Sequence, residues 1–334
     1  MTATVRGRED EDVHDPVLQV LLDRAAAGSR PGRRTDGHTV SLAIEGGGMR
    51  GVVSAGMCAV LESTGLVGSF DRIYGCSAGA VNGCFTAAGQ AVMWATTFED
   101  TASREFIDPA RAFRRRPVLD LEYLFDTVIA GHKPLSEDGL AQGPTFRALA
   151  TSLRDASLRV LGDFDSTAEL LDAVRVSCTI PLLTGAPATF RGEPMVDGAL
   201  VEPMPYVTAL REGSSHVLVL RSRDALYRAR TRGGVAELAL KRAHPELAPL
   251  LSTAAERYNR HAEELQALAR DPFVSQITVP PGSRLVGRLC TDRGRIAENL
   301  RLGAAAMARA LYGAPARLMW QPVVLHPEAL RRAA

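Results

Sequence analysis

Apolar positions in this chain come in short blocks, and glycine-rich turns separate the first of them. Thr39 to Ile44 is a mostly apolar run of strand length, Gly46 to Gly51 is a turn, and Val52 to Ser63 shows helical spacing. The pattern then repeats. Ile73 to Cys76 predicts a short strand, Gly75-Cys76-Ser77-Ala78-Gly79 a second tight turn, and Ala78 to Ala88 a helix rich in small residues. Strand, tight turn and helix, twice over, predict an α/β fold around a mostly parallel sheet.

Further along, Val174 to Cys178 reads as a strand. Pro194 to Ala199 reads as a strand ending in a polar turn, and His216 to Arg221 as another strand. Residues 233–270, rich in Ala, Leu, Glu and Arg, predict helix. A last strand is expected over Gln276–Val279 and a last helix over Ile296–Leu311. No internal repeat is present.

Before the first strand, residues 1–14 are polar and predict disorder. Asp15-Pro16 then marks a helix start, and that helix reaches about Ala27. Residues 28–38, with Arg30, Arg33 and Arg34, read as a solvated linker. The implied organisation is a tail, short helix and linker over 1–38, a catalytic core over 39–210, and strands and helices over 211–334 that complete the same domain.

Residues 104–145 carry two readings. Arg111, Arg114, Arg115 and Arg116 interleave with Phe113, and Leu119, Leu121, Tyr123, Leu124 and Phe125 follow. One reading is an insertion that covers the site or touches lipid. The other, which we expect, is a helical crossover whose apolar face packs on the sheet.

Composition narrows the function classes. The chain has 334 residues, 46% of them hydrophobic and 23% charged, as in a soluble globular protein. A net charge of +1 gives no bulk attraction to nucleic acid. Five cysteines without a C-x-x-C pair fit a reducing compartment. The charged N-terminus lacks the apolar stretch of a secretory signal, and no apolar run is long enough to span a membrane. A cytoplasmic protein, at most peripheral to the membrane, is expected.

The candidate chemistry lies in the two turns. G-x-S-x-G holds a serine on a strand-to-helix turn too tight for side chains at the flanking positions, which Gly75 and Gly79 vacate. The helix after Ser77 presents amide donors and a positive dipole end. Gly46, Gly47 and Gly48 can bring backbone N–H groups close to an oxyanion. Arg50 either fixes this loop or is a surface charge; Glu45 is expected to be structural. Gly46, Gly48 and Gly51 also fit the dinucleotide fingerprint G-x-G-x-x-G. That motif needs an acidic residue ending the second strand, where G-C-S-A-G stands instead, so we set it aside.

A serine needs a base. The seven histidines are His14, His38, His132, His216, His244, His261 and His326, and none sits in an obvious catalytic loop. Asp197, in Val-Asp-Gly-Ala, is the alternative, provided its pKa is raised.

In their order, Leu-Ala-Ile-Glu-Gly-Gly-Gly-Met-Arg-Gly, Gly-Cys-Ser-Ala-Gly and Asp-Gly-Ala resemble the patatin-like phospholipase family. Ser177-Cys178-Thr179-Ile180-Pro181 resembles the small-residue stretch that precedes that family's aspartate. The resemblance is close over about residues 40–210 and looser to about 315. It implies a three-layer α/β/α sandwich and a Ser–Asp dyad without histidine, with Ser77 as nucleophile and Asp197 as its activator. It further implies an oxyanion loop at Gly46, Gly47 and Gly48, supported by Arg50, Gly51, Gly75, Gly79 and Gly198. Lipid ester hydrolysis without metal or cofactor would follow. Many members carry an asparagine where Glu202 stands here, which bears on local support of the loop.

The resulting expectation is a serine hydrolase of lipid or lysolipid acyl esters, in transient contact with membrane surfaces and without nucleic acid. No motif specifies an oligomer. The rivals are a carboxylesterase or thioesterase for soluble acyl esters and a catalytically silent lipid- or partner-binding module.

Overall fold

The computed structural model describes residues 15–230, 234–268 and 271–313. The polar stretch 1–14 lies outside them, as do His14 and His326. Helix α1 (Pro16–Ala26) is capped by Asp15, whose carboxylate accepts from the amides of Val17 and Leu18. Then follow β1 (Val40–Ile44), α2 (Val52–Ser63), β2 (Arg72–Cys76), α3 (Ala78–Ala87), α4 (Ala91–Asp100), α5 (Glu137–Gln142), β3 (Thr145–Ser152), β4 (Leu158–Leu161) and α6 (Thr167–Ser177). The chain continues through β5 (Ala188–Phe190), β6 (Glu193–Asp197), α7 (Tyr206–Arg211), β7 (His216–Asp224), α8 (Val235–Ala243), α9 (Ala248–Ser252), α10 (Ala254–Ala267), β8 (Val274–Val279) and α11 (Arg293–Tyr312).

One eight-stranded sheet runs in the order β5-β6-β3-β2-β1-β7-β8, with β4 paired to β3. The pairs from β3 through β2, β1 and β7 to β8 are parallel, while β4 and β6 run antiparallel to β3. The centre is therefore the parallel α/β sheet that the turn pattern predicts, with an antiparallel flank.

Alternate residues of the central strands feed two cores. Leu42, Ile44, Ile73, Ala148, Leu218 and Leu220 pack with α2, α3 and α11. Ala43, Tyr74, Cys76, Leu149, Val217 and Val219 pack with α7 and α10. Helices thus cover both faces, giving the three-layer α/β/α sandwich.

Three local expectations change. Val174–Cys178 is the end of helix α6, not a strand. Ser166 caps that helix by accepting from the Glu169 amide, and Leu170, Ala173, Val174 and Ser177 line its buried face at helical spacing. The supposed linker is fastened rather than solvated. Buried Arg24 bridges Asp36 and Asp71, and Arg34 donates to Asp71 at 2.7 Å and to the carbonyls of Gly68 and Phe70. The segment after α4 divides. Leu124, Phe125, Val128 and Ile129 of a π-type helix over Tyr123–His132 are buried, as the crossover reading requires. Phe113, in a 3₁₀ turn over Pro109–Arg114, is 93% exposed.

Helices α2 and α11 cross at glycines. A Cβ on Gly56 would fall 2.2 Å from the Leu300 carbonyl oxygen, and one on Gly303 would fall 1.9 Å from that of Val53. Both obstacles are backbone, so no side chain can rotate away. This crossing seats α2, whose first turn continues from the glycine loop after β1. Gly303→Ala should therefore destabilise by about 1–3 kcal/mol despite alanine's better helix propensity. Urea unfolding measures this, and a variant as stable as wild type would show that the crossing does not need its glycines.

Candidate active site

Ser77 occupies the single residue between β2 and α3, at φ 54° and ψ −132°. Such a conformation costs a non-glycine residue roughly 1–3 kcal/mol and is held only by its surroundings. Here the turn is interlocked. A Cβ on Gly75 would lie 2.3 Å from the Gly79 oxygen, and one on Gly79 would lie 2.3 Å from the Ile44 oxygen. The Ser77 amide donates to Ser177 Oγ at 3.0 Å, and Ser177 Oγ donates to the Leu149 carbonyl at 2.6 Å. The end of α6 therefore fastens the elbow to β3.

Asp197 reaches the same spot from the opposite direction. Along β3, Cys76 of β2 is paired with Leu149, and Asp197 of β6 with the next residue, Ala150. Strand β4 occupies the other edge of β3 over Ala148–Thr151. Strands β2 and β6 thus share one edge of β3 and meet end to end, about one residue step (roughly 3.3 Å) apart. The Asp197 amide donates to the Thr179 carbonyl at 2.8 Å, and Thr151 Oγ1 donates to the Asp197 carbonyl at 2.9 Å. A Cβ on Gly198 would fall 2.3 Å from the Leu149 oxygen, so the turn after Asp197 lies hard against β3.

The Asp197 carboxylate accepts from the Ala199 amide at 2.8 Å and has no ion-pair partner among the described residues. Burial pushes its pKa up to about 6, while the Ala199 amide, the Ser77 hydroxyl and the charge of Arg288 pull it back.

The glycine loop closes the third side. A Cβ on Gly46 would lie 3.1 Å from the Ser77 Cβ and 3.3 Å from the buried Cys76 sulfur. The amides of Gly47 and Gly48 find no acceptor among the described residues. Gly48 has φ +57°, and the next amide, of Met49, donates to the Arg288 carbonyl at 3.1 Å. Gly51 lies against Ala78, to whose Cβ its own would come within 2.8 Å.

Arg50 is buried beneath this loop and donates from Nε to Ser222 Oγ at 3.2 Å. Desolvation brings its pKa down to about 10, against the attraction of Glu45. Glu45 is structural, as expected. It accepts from the Ser222 amide (2.5 Å), from Ser222 Oγ (2.9 Å) and from the Tyr258 hydroxyl (2.8 Å), tying β1, β7 and α10 together. Glu202 accepts from the Thr208 amide at 2.9 Å and from its hydroxyl at 2.6 Å, so it braces the chain between Asp197 and α7.

No described histidine side chain hydrogen-bonds Ser77 or Asp197. His216 pairs with Val40 at the start of β1, the opposite end of the sheet from the loop after Ile44. It contacts Ser215, His38 and Phe273 there. His261 packs on Tyr206, and His244 contacts Glu246. Among the described residues, no cluster of three or more His, Cys, Asp or Glu is arranged to hold a metal ion.

The sequence model of the patatin-like phospholipases matches residues 42–210. The chain belongs to the patatin-like phospholipase family. Members of this family are lipid ester hydrolases. Escherichia coli strain K12 has a relative, the uncharacterized protein YjjU, 29% identical over 200 residues, covering 58% of this chain and 53% of that protein. The match thus spans about half the length of that relative. Among solved structures, VipD from Legionella pneumophila aligns over 82% of this chain and 66% of its own, at 11% identity and a TM-score of 0.41. Human GIVD cytosolic phospholipase A2 aligns over 87% and 64%, at 12% identity and a TM-score of 0.37.

Sequence reasoning missed Arg288, Ser222 and Tyr258, which reach the site from segments far along the chain. Asp197 carries a stability signature of its own. Its folded pKa lies above the unfolded value of roughly 4, so folding favours the protonated form. That contribution is fully present below pH about 4 and is lost as pH rises through about 6. Relative to wild type, Asp197→Asn should therefore gain stability between pH 4 and pH 8. Thermal unfolding at the two pH values checks this, and a constant difference would contradict it.

Proposed function

We propose that this protein hydrolyses the carboxylic ester bonds of lipids or lysolipids, through Ser77 and Asp197 and without a histidine. The observation that carries the reading is the end-to-end meeting of β2 and β6 on β3, which sets a strained serine against a buried carboxylate beside unclaimed glycine amides. Ser77 Oγ attacks the ester carbonyl while Asp197 takes its proton. The oxyanion accepts from the loop Gly46–Gly48, chiefly from the Gly47 and Gly48 amides, with the dipole of α3 adding positive potential. The tetrahedral intermediate collapses and the alcohol leaves with the proton from Asp197. Asp197 next deprotonates a water, which attacks the acyl-serine, and the acid departs as Ser77 recovers its proton. A base with pKa near 6 is ionised at neutral pH yet basic enough to assist. Arg50, Gly51, Gly75, Gly79 and Gly198 support this geometry. The reading includes a membrane or micelle surface as the source of substrate.

Ser77→Ala and Asp197→Asn should each lower kcat/KM on a short-chain nitrophenyl ester by a factor of about 10³ or more, whereas His216→Ala should leave it near wild type. In wild type, kcat/KM should fall toward acid with a midpoint near 6, the value for Asp197. Full activity in Ser77→Ala, or collapse in His216→Ala with fold intact, would refute the dyad. Cleavage of soluble esters with none of vesicle or micellar lipid would reassign the substrate to soluble acyl esters.

A further inference from the structure

We propose that the turn from Pro109 to Pro117 is a docking element for an anionic lipid surface, with Phe113 entering the interface and Arg114, Arg115 and Arg116 meeting lipid phosphates. The proposal gives the lipid-hydrolase reading a residue-level membrane contact and rests on that reading for its purpose.

The turn is a built arm with an apolar root and an unpartnered tip. Its two stems pair antiparallel at Ile107 and Leu119, with the Asp108 amide donating to Val118 at 3.0 Å and the Asp120 amide to Phe106 at 2.9 Å. Phe106, Ile107, Val118 and Leu119 are buried at this root. Asp108 caps the tip by accepting from the Ala110 amide at 3.0 Å. The structured arm then leaves Phe113 93% exposed.

The nine residues Pro109-Ala-Arg-Ala-Phe-Arg-Arg-Arg-Pro117 contain four arginines and no carboxylate, in a chain whose net charge is +1. Arg111 turns back to Asp120 at 3.3 Å and to the Glu105 carbonyl at 3.0 Å. Arg114, Arg115 and Arg116 are exposed, and their guanidinium groups have no partner among the described residues. An exposed phenyl ring followed by three exposed, unpaired arginines stabilises neither a core nor an ion pair. An anionic bilayer satisfies both parts at once, with the acyl boundary taking the ring and phosphates taking the charges.

The arm is also wired to the site. The Leu119 amide donates to the Leu183 carbonyl at 2.9 Å, and the Leu183 amide donates to Ile180 at 3.0 Å. Ile180 follows Thr179, whose carbonyl accepts from the Asp197 amide. Pro117 touches Gly185, and Leu182 in the same turn is exposed. The root of the arm is thus joined to the turn that carries the Thr179 support of Asp197.

The test uses the full-length Ser77→Ala protein, so that no lipid is consumed, and co-sedimentation with phosphatidylcholine vesicles with and without phosphatidylglycerol. Binding should require phosphatidylglycerol and weaken as salt rises. Replacing Arg114, Arg115 and Arg116 together by Gln should reduce partitioning by roughly 10²-fold, and Phe113→Ala by about tenfold or more. Thermal unfolding checks that both variants remain folded; Phe113→Ala alters only an exposed side chain. Absence of binding to anionic vesicles, or unchanged binding in folded variants, overturns the proposal. So does arginine-dependent binding of a DNA duplex in place of vesicles. Vesicle binding by a protein whose Ser77 form cleaves no ester would sink the hydrolase reading and leave the docking element. Ester cleavage without vesicle binding would do the reverse.

Discussion

Keeping a carboxylate buried without an ion pair is the constraint on which the rest of this structure turns. Asp197 accepts a hydrogen bond from the Ala199 amide, and burial moves its pKa up to about 6. An isolated buried charge is costly, so the surrounding fold must hold the group away from bulk solvent against that cost. The sheet achieves this by running β2 and β6 head to head on one edge of β3, with the turn at Gly198 pressed against Leu149. At the other end of the junction, Ser77 holds a left-handed backbone in the glycine-interlocked turn.

The hydrogen-bonding supports around this junction differ between its two sides. On the carboxylate side they are neutral: Ser177, Thr151 and the Thr179 carbonyl. On the glycine-loop side a buried arginine stands under the loop, and Glu45 holds the loop's base through Ser222 and Tyr258. In the proposed mechanism, Asp197 stays free of a salt bridge that would depress its pKa and weaken it as a base.

The sequence made the centre of this fold legible because its elements are short and punctuated by glycine. The turns at Gly46–Gly51 and Gly75–Gly79 identify their neighbours as strand and helix almost unaided. Val174–Cys178 misled because a β-branched, small-residue run reads as a strand until the cap at Ser166 is weighed. Strand β3 carries no turn motif, so the register that brings Ser77 to Asp197 could not be read from the chain. The basic linker looked solvated because Asp71, the partner of Arg24 and Arg34, lies far along the sequence. Arg288 had no local signal at all; its carbonyl and charge matter only through a long-range approach to the glycine loop.

The central claim is that Ser77 is made nucleophilic by Asp197 alone. The most direct measurement is the rate of covalent labelling of Ser77 by a fluorophosphonate as a function of pH, with the modified residue located by mass spectrometry. The account predicts labelling at Ser77, a rate that falls toward acid with a midpoint near 6, and a loss of that pH dependence together with most of the rate in Asp197→Asn. Labelling of Asp197→Asn as fast as wild type, or of another residue in place of Ser77, would contradict it.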